Sequence, residues 1–268
     1  MIICPNCEAK QSIGAKSCCQ CGTKFDSHLS RGFEYTILDG QIAITGTEIT
    51  EGAVVIPSVL DDLHVTSIER SAFKGCENLS SITIPSSVTA IGFEAFAGCY
   101  SLKEIILPKN VTSIGEGAFW GCSGLVKVTI PEGVTRVENR TFWECWCLCS
   151  ITLPNGIISI GDQAFTDCDD LTSFTIPNSV TSIGKEAFAG CYKLTSIVVP
   201  NGVTHIGPKA FAECWHLCSI TLPASVTHIG KDAFTECKRL TIYTPRGSYA
   251  ERYAKRNQID VICQENEM

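Results

Sequence analysis

Apolar residues recur along this chain with a period of 23 residues. Phenylalanine keeps this step from Phe73 to Phe234, cysteine from Cys76 to Cys237 and leucine from Leu79 to Leu240, with eight copies of each. Proline keeps the same step from Pro85 to Pro223. A repeat at a fixed period of roughly 20–50 residues indicates a solenoid or a similar array of stacked units.

Within one unit, the apolar and polar positions predict a short strand followed by turns. Leu79, Ile82 and Ile84 have the spacing L-x-x-I-x-I, which points apolar side chains to one face of a strand. Pro85 then ends the strand, because it has no N–H to donate to the sheet. The segment Glu94–Phe96 predicts a single helical turn on the outer side of the coil.

A single unit cannot bury its own apolar face, whereas stacked units bury a continuous core. Each strand then pairs in parallel with the next at about 4.8 Å, so eight coils form a rod or arc about 35–40 Å long. The predicted fold is mainly β, a right-handed solenoid with a parallel β-sheet and short helical or 3₁₀ turns. Its stability is approximately a sum of nearest-neighbour terms.

The repeated text I-P-x-x-V-T-x-I-G-x-x-A-F-x-x-C-x-x-L-x-x-I resembles the leucine-rich repeats of the BspA-like, or treponemal, class. The resemblance covers about Phe33 to Ile262. It implies an N-terminal cap over 33–57 with a hairpin, a repeat solenoid over 58–245, and a C-terminal cap and tail over 246–268 with a closing helix and a last strand. Such caps cover the terminal apolar faces of a solenoid.

Three local features depart from the regular pattern. Val137-Glu138 replaces Ile-Gly, and Phe174 stands in a column of isoleucines. Ile158 stands where other coils have threonine. The longer first repeat, in which Pro57 precedes Pro85 by 28 residues instead of 23, is instead what the family's N-terminal cap implies. We expect none of these departures to change the fold.

Four cysteines near the start of the chain have the spacing of a zinc site. Two C-x-x-C pairs can place four thiolates tetrahedrally around Zn²⁺, and four protein ligands leave no open position, so the metal is expected to be structural. Residues 1–26 resemble the short zinc ribbons at the start of many bacterial proteins, and 27–32 form a linker. The predicted ligands are Cys4, Cys7, Cys18 and Cys21.

Two details of this cluster leave alternatives open. Cys19 can compete with Cys18 as a ligand, and Glu8 stands where glycine is usual. A redox dithiol is the weaker alternative, because no thioredoxin-like βαβ pattern surrounds the cysteines. A metal-free segment is the remaining one.

Composition and motifs limit the functions that we expect of this chain. The net charge is −7 and no long basic run occurs, so nucleic-acid binding is not expected. No apolar stretch approaches the roughly 18 residues of a membrane-spanning helix. The chain has no Gly-rich phosphate loop, H-E-x-x-H or G-x-S-x-G motif, so we do not expect an enzyme.

The 17 cysteines bear on the compartment. Four have zinc-ligand spacing and eight recur once per repeat as small core residues, which favours free thiols in a reducing compartment. Disulfides between neighbouring coils are the alternative, because the coil spacing suits them. The N-terminus lacks a signal peptide, so we expect a cytoplasmic protein. Frequent export in the repeat family keeps the cell surface, or secretion without a classical signal peptide, as the alternative.

Two sets of surface residues are candidates for binding a partner. Aromatic residues follow the repeated cysteine in several coils; exposed aromatics are enriched at binding sites, although they can instead pack over the neighbouring coil. Threonines at outward strand positions form either a ligand-facing surface or a solvated row. These candidates are Tyr100, Trp146, Tyr192, Trp215, Thr129, Thr152 and Thr175.

His205 and His228 share one column, where a stacked pair can hold a metal or sense pH. We favour simple surface residues there, because other repeats have Ser or Ala in the same column. The expected function is a non-enzymatic scaffold that binds a protein partner along an exposed face of the solenoid. The family resemblance implies adhesion or host-protein binding in bacteria or protists. The alternative is a carbohydrate- or cell-surface-binding module that uses the exposed aromatics.

Overall fold

The computed structural model describes residues 32–264 continuously and, before them, 2–3, 10–11 and 28–30. The described residues form a mainly β fold with one short helix, α1 (Tyr249–Arg256). The strands are β1 (Ile2–Ile3), β2 (Lys10–Gln11), β3 (His28–Ser30), β4 (Phe33–Leu38), β5 (Gln41–Thr47), β6 (Glu51–Val55), β7 (Val59–Leu60), β8 (Leu63–Ile68), β9 (Asn78–Thr83), β10 (Ala90–Ile91), β11 (Glu104–Ile106), β12 (Ser113–Ile114), β13 (Lys127–Thr129), β14 (Arg136–Val137), β15 (Ser150–Thr152), β16 (Ser159–Ile160), β17 (Ser182–Ile183), β18 (Ser196–Val198), β19 (His205–Ile206), β20 (Ser219–Thr221), β21 (His228–Ile229), β22 (Thr241–Pro245) and β23 (Asp260–Gln264).

Two parallel sheets run along the solenoid. The first, which we call the front sheet, has two parts: β6, β9, β11, β13 and β15 form one, and β18, β20, β22 and β23 form the other. Within the repeats its strands pair in a register of 23 residues, so that Glu104 lies opposite Ser81 on one side and Lys127 on the other. The second, the side sheet, is built mostly from two-residue strands such as β10 and β12, whose pairing keeps the same step. The parallel solenoid predicted from the repeat is confirmed.

The predicted short helices on the outer side are wrong. The segment contains successive turns, in which the N–H of Ala97 donates to the Glu94 carbonyl at 3.1 Å. Glu94 has a left-handed backbone with φ of 51°, which breaks a right-handed helix. Alternate N–H groups instead bond to the next coil, with Phe96 N–H donating to the Ala118 carbonyl at 2.8 Å. The outer side is therefore a third set of hydrogen bonds between coils.

The core consists of stacked columns. The phenylalanine rings from Phe73 to Phe234 stack with centroids 5.2 to 5.6 Å apart. Beside them, each thiol from Cys99 to Cys237 donates to the carbonyl of the phenylalanine one coil earlier, at 3.0 to 3.3 Å. The cysteines of the described residues are free thiols, so the disulfide alternative does not hold for this column.

The side sheet is interrupted where Glu138 replaces glycine. At the equivalent position of the preceding coil, a Cβ on Gly115 would lie 2.6 Å from the Gly92 carbonyl carbon, so this column requires close contact between coils. Glu138 carries such a Cβ, and β14 is not paired with β12. The substitution leaves the fold intact, as expected, but divides the side sheet.

Phe174 interrupts the front sheet in a similar way. Its ring packs edge-on between Phe165 and Phe188, with centroids 5.0 and 4.8 Å away. A single bridge connects Ser173 of this coil to Ser196 of β18, and among the described residues no pairing connects the coil to β15. With that bridge, the front sheet has ten rungs, because the caps contribute β6 at one end and β22 and β23 at the other.

The two ends are covered by cap elements. At the N-terminal end, β4 and β5 form an antiparallel hairpin that buries Phe33 and Tyr35. The longer first repeat contains a second hairpin, β7–β8, whose Asp61 accepts a hydrogen bond from the Tyr35 hydroxyl. At the C-terminal end, α1 buries Ala250 and Ala254, and β23 pairs with β22.

Candidate binding face

The outward side of the front sheet carries a row of β-branched side chains. Thr83 lies opposite Val55 in the neighbouring strand and opposite Ile106 in the next. Ile106 is 74% exposed, Val55 66% and Val198 64%. The predicted Thr129, Thr152 and Thr175 belong to this row and are exposed. The row is therefore a continuous accessible column, with apolar residues between the threonines.

The aromatic column borders the same sheet. The carbonyl of Tyr100 accepts the Gly124 N–H at 3.0 Å, and the carbonyl of Trp146 accepts the Asp170 N–H at 3.0 Å. These bonds between coils come just before β13 in the coil of Gly124 and just before the bridge residue Ser173 in the coil of Asp170, so the aromatic residues lie at the start of the front-sheet surface. Thr152 follows Trp146 by six positions, so the distance between their Cα atoms is at most about 20 Å in an extended chain.

The structure brings only two of the four predicted aromatics together. The rings of Tyr192 and Trp215 stack with centroids 4.5 Å apart and an interplanar angle of 29°. Tyr100 and Trp146 are separated by the coil of Ser123, and Asp169 lies in the column between Trp146 and Tyr192. Tyr100, Trp146 and Trp215 are each about half exposed, so part of every ring is available to a partner.

Exposed apolar side chains are concentrated on this face, which we call the front face. Of the eleven large hydrophobic side chains exposed among the described residues, eight lie in the aromatic column, the strand row or the column between them. A monomer scatters such residues singly, whereas a binding surface gathers them. The eight are Val55, Tyr100, Ile106, Val126, Trp146, Val198, Trp215 and Ile262.

Carboxylates accompany the aromatic column, and sequence reasoning missed them. Asp167 and Glu213 have left-handed backbones, with φ of 56° and 60°, at a position where other coils have glycine such as Gly98. Burial raises the pKa of Asp167, and the nearby charges of Glu144 and Glu213 raise it further. Comparing this column between coils would have shown the exchange of glycine for acidic residues.

The sequence pattern also did not identify Val55 and Ile262 as residues of the front face, because they belong to the cap strands. The 23-residue step does not reach β6 or β23, so their outward positions follow only from the pairing of Val55 with Thr83 and of Ile262 with Tyr243.

A second aromatic pair lies on the outer turns. Trp120 and Trp143 stack with centroids 5.3 Å apart, and the Arg140 guanidinium lies 5.7 Å from the Trp143 centroid. The Trp120 indole N–H donates to Glu144 at 3.3 Å. The chain's own charged groups already occupy the neighbourhood of this pair, so it is a weaker candidate for binding.

A metal site on the solenoid would need a group of side chains that can together hold the ion. The structure brings no three His, Cys, Asp or Glu residues together as a metal site anywhere in the part of the chain it describes. His205 and His228 lie side by side, with ring centroids 5.8 Å apart, and the Thr204 hydroxyl is 2.8 Å from His205 Nδ1. The predicted zinc ligands Cys4, Cys7, Cys18 and Cys21 lie outside the described residues.

No helix within residues 32–264 is long and apolar enough to cross a bilayer. The one helix of this range, α1, has eight residues.

The stacked coils, parallel sheets and ladders of leucine, phenylalanine and cysteine define a leucine-rich-repeat protein. A family model described as BspA type leucine rich repeat region, with six copies, matches residues 56–171 and 135–252. The chain belongs to this family, which confirms the resemblance seen in its sequence.

This chain is also similar to several solved structures. The T. pallidum leucine rich repeat protein TpLRR is 28% identical with a TM-score of 0.55, over 90% of this chain and 100% of that one. A leucine rich cell surface protein from Faecalibacterium prausnitzii is 24% identical with a TM-score of 0.43, over 85% and 97%. A leucine-rich repeat protein from Bacteroides ovatus is 24% identical with a TM-score of 0.41, over 81% and 84%. A search of curated proteins gives no match.

Proposed function

We propose that the protein is a non-enzymatic scaffold that binds a protein partner along the front face. The observation that carries this proposal is the concentration of eight of the eleven exposed large hydrophobic side chains on that face. Membership of a leucine-rich-repeat family is consistent with a protein-interaction scaffold.

The dimensions of the front face suit a protein partner. Ten rungs at about 4.8 Å span about 43 Å, and the distance from the aromatic column to the strand row is at most about 20 Å. The product is about 850 Å², close to the roughly 800 Å² that each partner contributes to a standard interface. Valine, isoleucine and threonine side chains lose little rotamer freedom on contact, because their χ1 angles are already restricted.

The chain contains a matched pair of sites for testing this proposal. Ile106 lies on the front face and is 74% exposed, whereas Ile158 lies next to the side sheet and is 41% exposed. Ile106→Arg and Ile158→Arg therefore make the same chemical change on two different surfaces. Both variants should keep the wild-type melting temperature, since each side chain is exposed.

The experiment is quantitative affinity capture from the source cells with the wild type and both variants. We expect a polypeptide that is retained by the wild type and by Ile158→Arg, and reduced at least tenfold by Ile106→Arg. Equal capture by all three proteins, or loss only with Ile158→Arg, would contradict the front face as the binding surface.

Carbohydrate binding is the second candidate, and the Tyr192–Trp215 stack, whose Trp215 side chain is half exposed, favours it. Stacked aromatic rings offer a flat apolar surface to the face of a sugar. A glycan array tests this candidate, with Trp215→Ala as the variant and Trp120→Ala, on the outer turns, as the control. Glycan signals that only Trp215→Ala removes would support it.

We also propose that Cys4, Cys7, Cys18 and Cys21 hold one structural Zn²⁺ in a separate ribbon. This proposal rests on the spacing of the cysteines alone. The free thiols of the solenoid support a reducing location, for which we propose the cytoplasm. Separation of the source cells into cytoplasmic and surface fractions tests the location.

A further inference from the structure

The acidic side chains beside the aromatic column indicate which partner chemistry fits this part of the front face. We propose that Trp146, Asp167, Asp169, Tyr192, Glu213 and Trp215 form a docking patch for a Lys- or Arg-rich segment of the protein partner, a proposal that rests on the function proposed above. We call these residues the aromatic–acidic patch.

Two neighbouring columns build the patch. The column after the repeated cysteine contains Trp146, Asp169, Tyr192 and Trp215 in successive coils, so that a carboxylate lies between aromatic rings. Two positions earlier in each coil, Asp167 and Glu213 add further carboxylates. Asp167 Oδ1 lies directly over Gly190, in space that a Cβ would occupy. The Asp167 carboxylate therefore extends towards the coil of Tyr192.

Two lysines beside the patch form ion pairs with carboxylates outside it, although the charge of Lys193 also acts on Asp169, where it partly offsets the rise in pKa that burial causes. Lys193 is paired with Asp170 at 2.7 Å, and Lys238 with Glu236 at 2.9 Å. Burial raises the pKa of the Tyr192 phenol. The negative charges of Asp167, Asp169 and Glu213 raise this pKa further, so they act at the position of the ring. A cation from a partner would meet an excess of negative charge here.

One carboxylate oxygen also lacks a donor. Asp169 Oδ1 is shielded from solvent and accepts no hydrogen bond from the described residues. A shielded acceptor without a donor is unfavourable, because no hydrogen bond offsets the desolvation of its charge. This oxygen lies in the same column as the aromatic rings, so its charge adds to the negative potential beside them.

The aromatic rings suit the same partner. A cation over the face of tryptophan or tyrosine is attracted by the negative potential of the ring. Beyond the stack, Trp215 and Glu213 line a cleft with Glu236 and Lys238. From Trp146 to Trp215 the patch spans three steps between coils, about 14 Å, which corresponds to four or five residues of an extended segment.

The experiment measures binding of two fluorescein-labelled hexapeptides to the full chain. One peptide alternates arginine with serine, so that its arginines share one face of an extended strand, and the other alternates glutamate with serine. The patch variant is Asp167→Asn with Asp169→Asn; asparagine tolerates the left-handed backbone of Asp167. The control is Asp39→Asn with Asp62→Asn, two exposed aspartates in cap turns that also have left-handed backbones.

We expect the arginine peptide to bind the wild type and the control at least tenfold more tightly than the glutamate peptide. The patch variant should bind the arginine peptide at least tenfold more weakly. Equal affinity of the patch variant and the control would overturn the proposal, as would equal affinity of the wild type for both peptides.

The two proposals fail separately. If Ile106→Arg abolishes capture of a partner but the arginine peptide does not bind, the scaffold function stands and the aromatic–acidic patch is not the site of a basic segment.

Discussion

The thiol of Cys99 donates a hydrogen bond to the carbonyl oxygen of Phe73 at 3.2 Å, across two neighbouring coils. The same carbonyl accepts the Cys76 N–H within its own coil at 3.2 Å. Each repeated cysteine therefore connects coils as well as filling the core. This contact explains why a small residue with a donor suits the column.

Removing one of these thiols should destabilise the solenoid. Cys145 is fully buried and bonded to the Phe119 carbonyl at 3.2 Å. Cys145→Ala removes the sulfur and this bond, so we expect a loss of about 1–2 kcal/mol in the free energy of unfolding. Urea unfolding followed by circular dichroism measures it.

Cys147 provides the control for that substitution. It is exposed and lies two residues further along the chain. We expect Cys147→Ala to change stability by less than about 0.5 kcal/mol. Equal effects of the two substitutions would show that the buried thiol contributes nothing specific.

Close contact between coils at the glycine column gives a second prediction. A Cβ on Gly184 would lie 2.6 Å from the backbone nitrogen of Asp162 and from the Gly161 carbonyl carbon. We expect Gly184→Ala to destabilise the protein by about 1–3 kcal/mol through overpacking. Gly156, whose Cβ would meet only the Glu132 carbonyl oxygen at 3.8 Å, is the matched control. A Gly184→Ala variant as stable as Gly156→Ala would contradict the close contact.

The C-terminal helix gives a pH-dependent prediction. Glu251 accepts hydrogen bonds from Lys255 and the Gly247 N–H, which lower its pKa to about 2 from an ordinary 4.5. Because the folded pKa is depressed, this stabilisation is complete above about pH 4.5 and is lost as the pH falls towards 2.

Hydrogen exchange of α1 amides in the wild type and Glu251→Gln measures this effect. The wild type should be better protected at pH 6, and the difference should shrink between pH 4.5 and the lowest accessible pH. A difference independent of pH would show that the Glu251 charge is not involved.

The zinc ribbon is tested by metal content. We expect one zinc per chain by elemental mass spectrometry and its loss in Cys7→Ser, because three remaining thiolates bind zinc less tightly than four. Cys19→Ser separates the two possible ligand sets, and should retain zinc if Cys18 is the ligand. Cys147→Ser is the control, and zinc retained in Cys7→Ser would contradict the assignment.

The 23-residue period was sufficient to predict the stacking, a parallel sheet and the inward columns, but not the side sheet. It was not sufficient for the outer turns, because the left-handed backbone at Glu94 depends on hydrogen bonds to the next coil. The breaks at Glu138 and Phe174 were visible as substitutions, but their effect depends on the distance between coils. The period therefore predicts the average coil and leaves individual coils undetermined.

The candidate site was predictable in part for the same reason. Outward threonines and aromatics follow from their columns, so Thr129 and Trp146 were found. Asp169 was known as a turn residue, but its position between Trp146 and Tyr192 becomes significant only when the coils are stacked. Its unpartnered oxygen requires atomic positions.

The central claim, that the front face contacts a protein partner, is tested most directly by photo-crosslinking in the source cells. Benzoylphenylalanine placed at Thr129 on the front face should yield a covalent adduct with another polypeptide on irradiation. The same group at Ile158 beside the side sheet should yield none. An adduct from position 158 alone, or from neither position, would contradict the account.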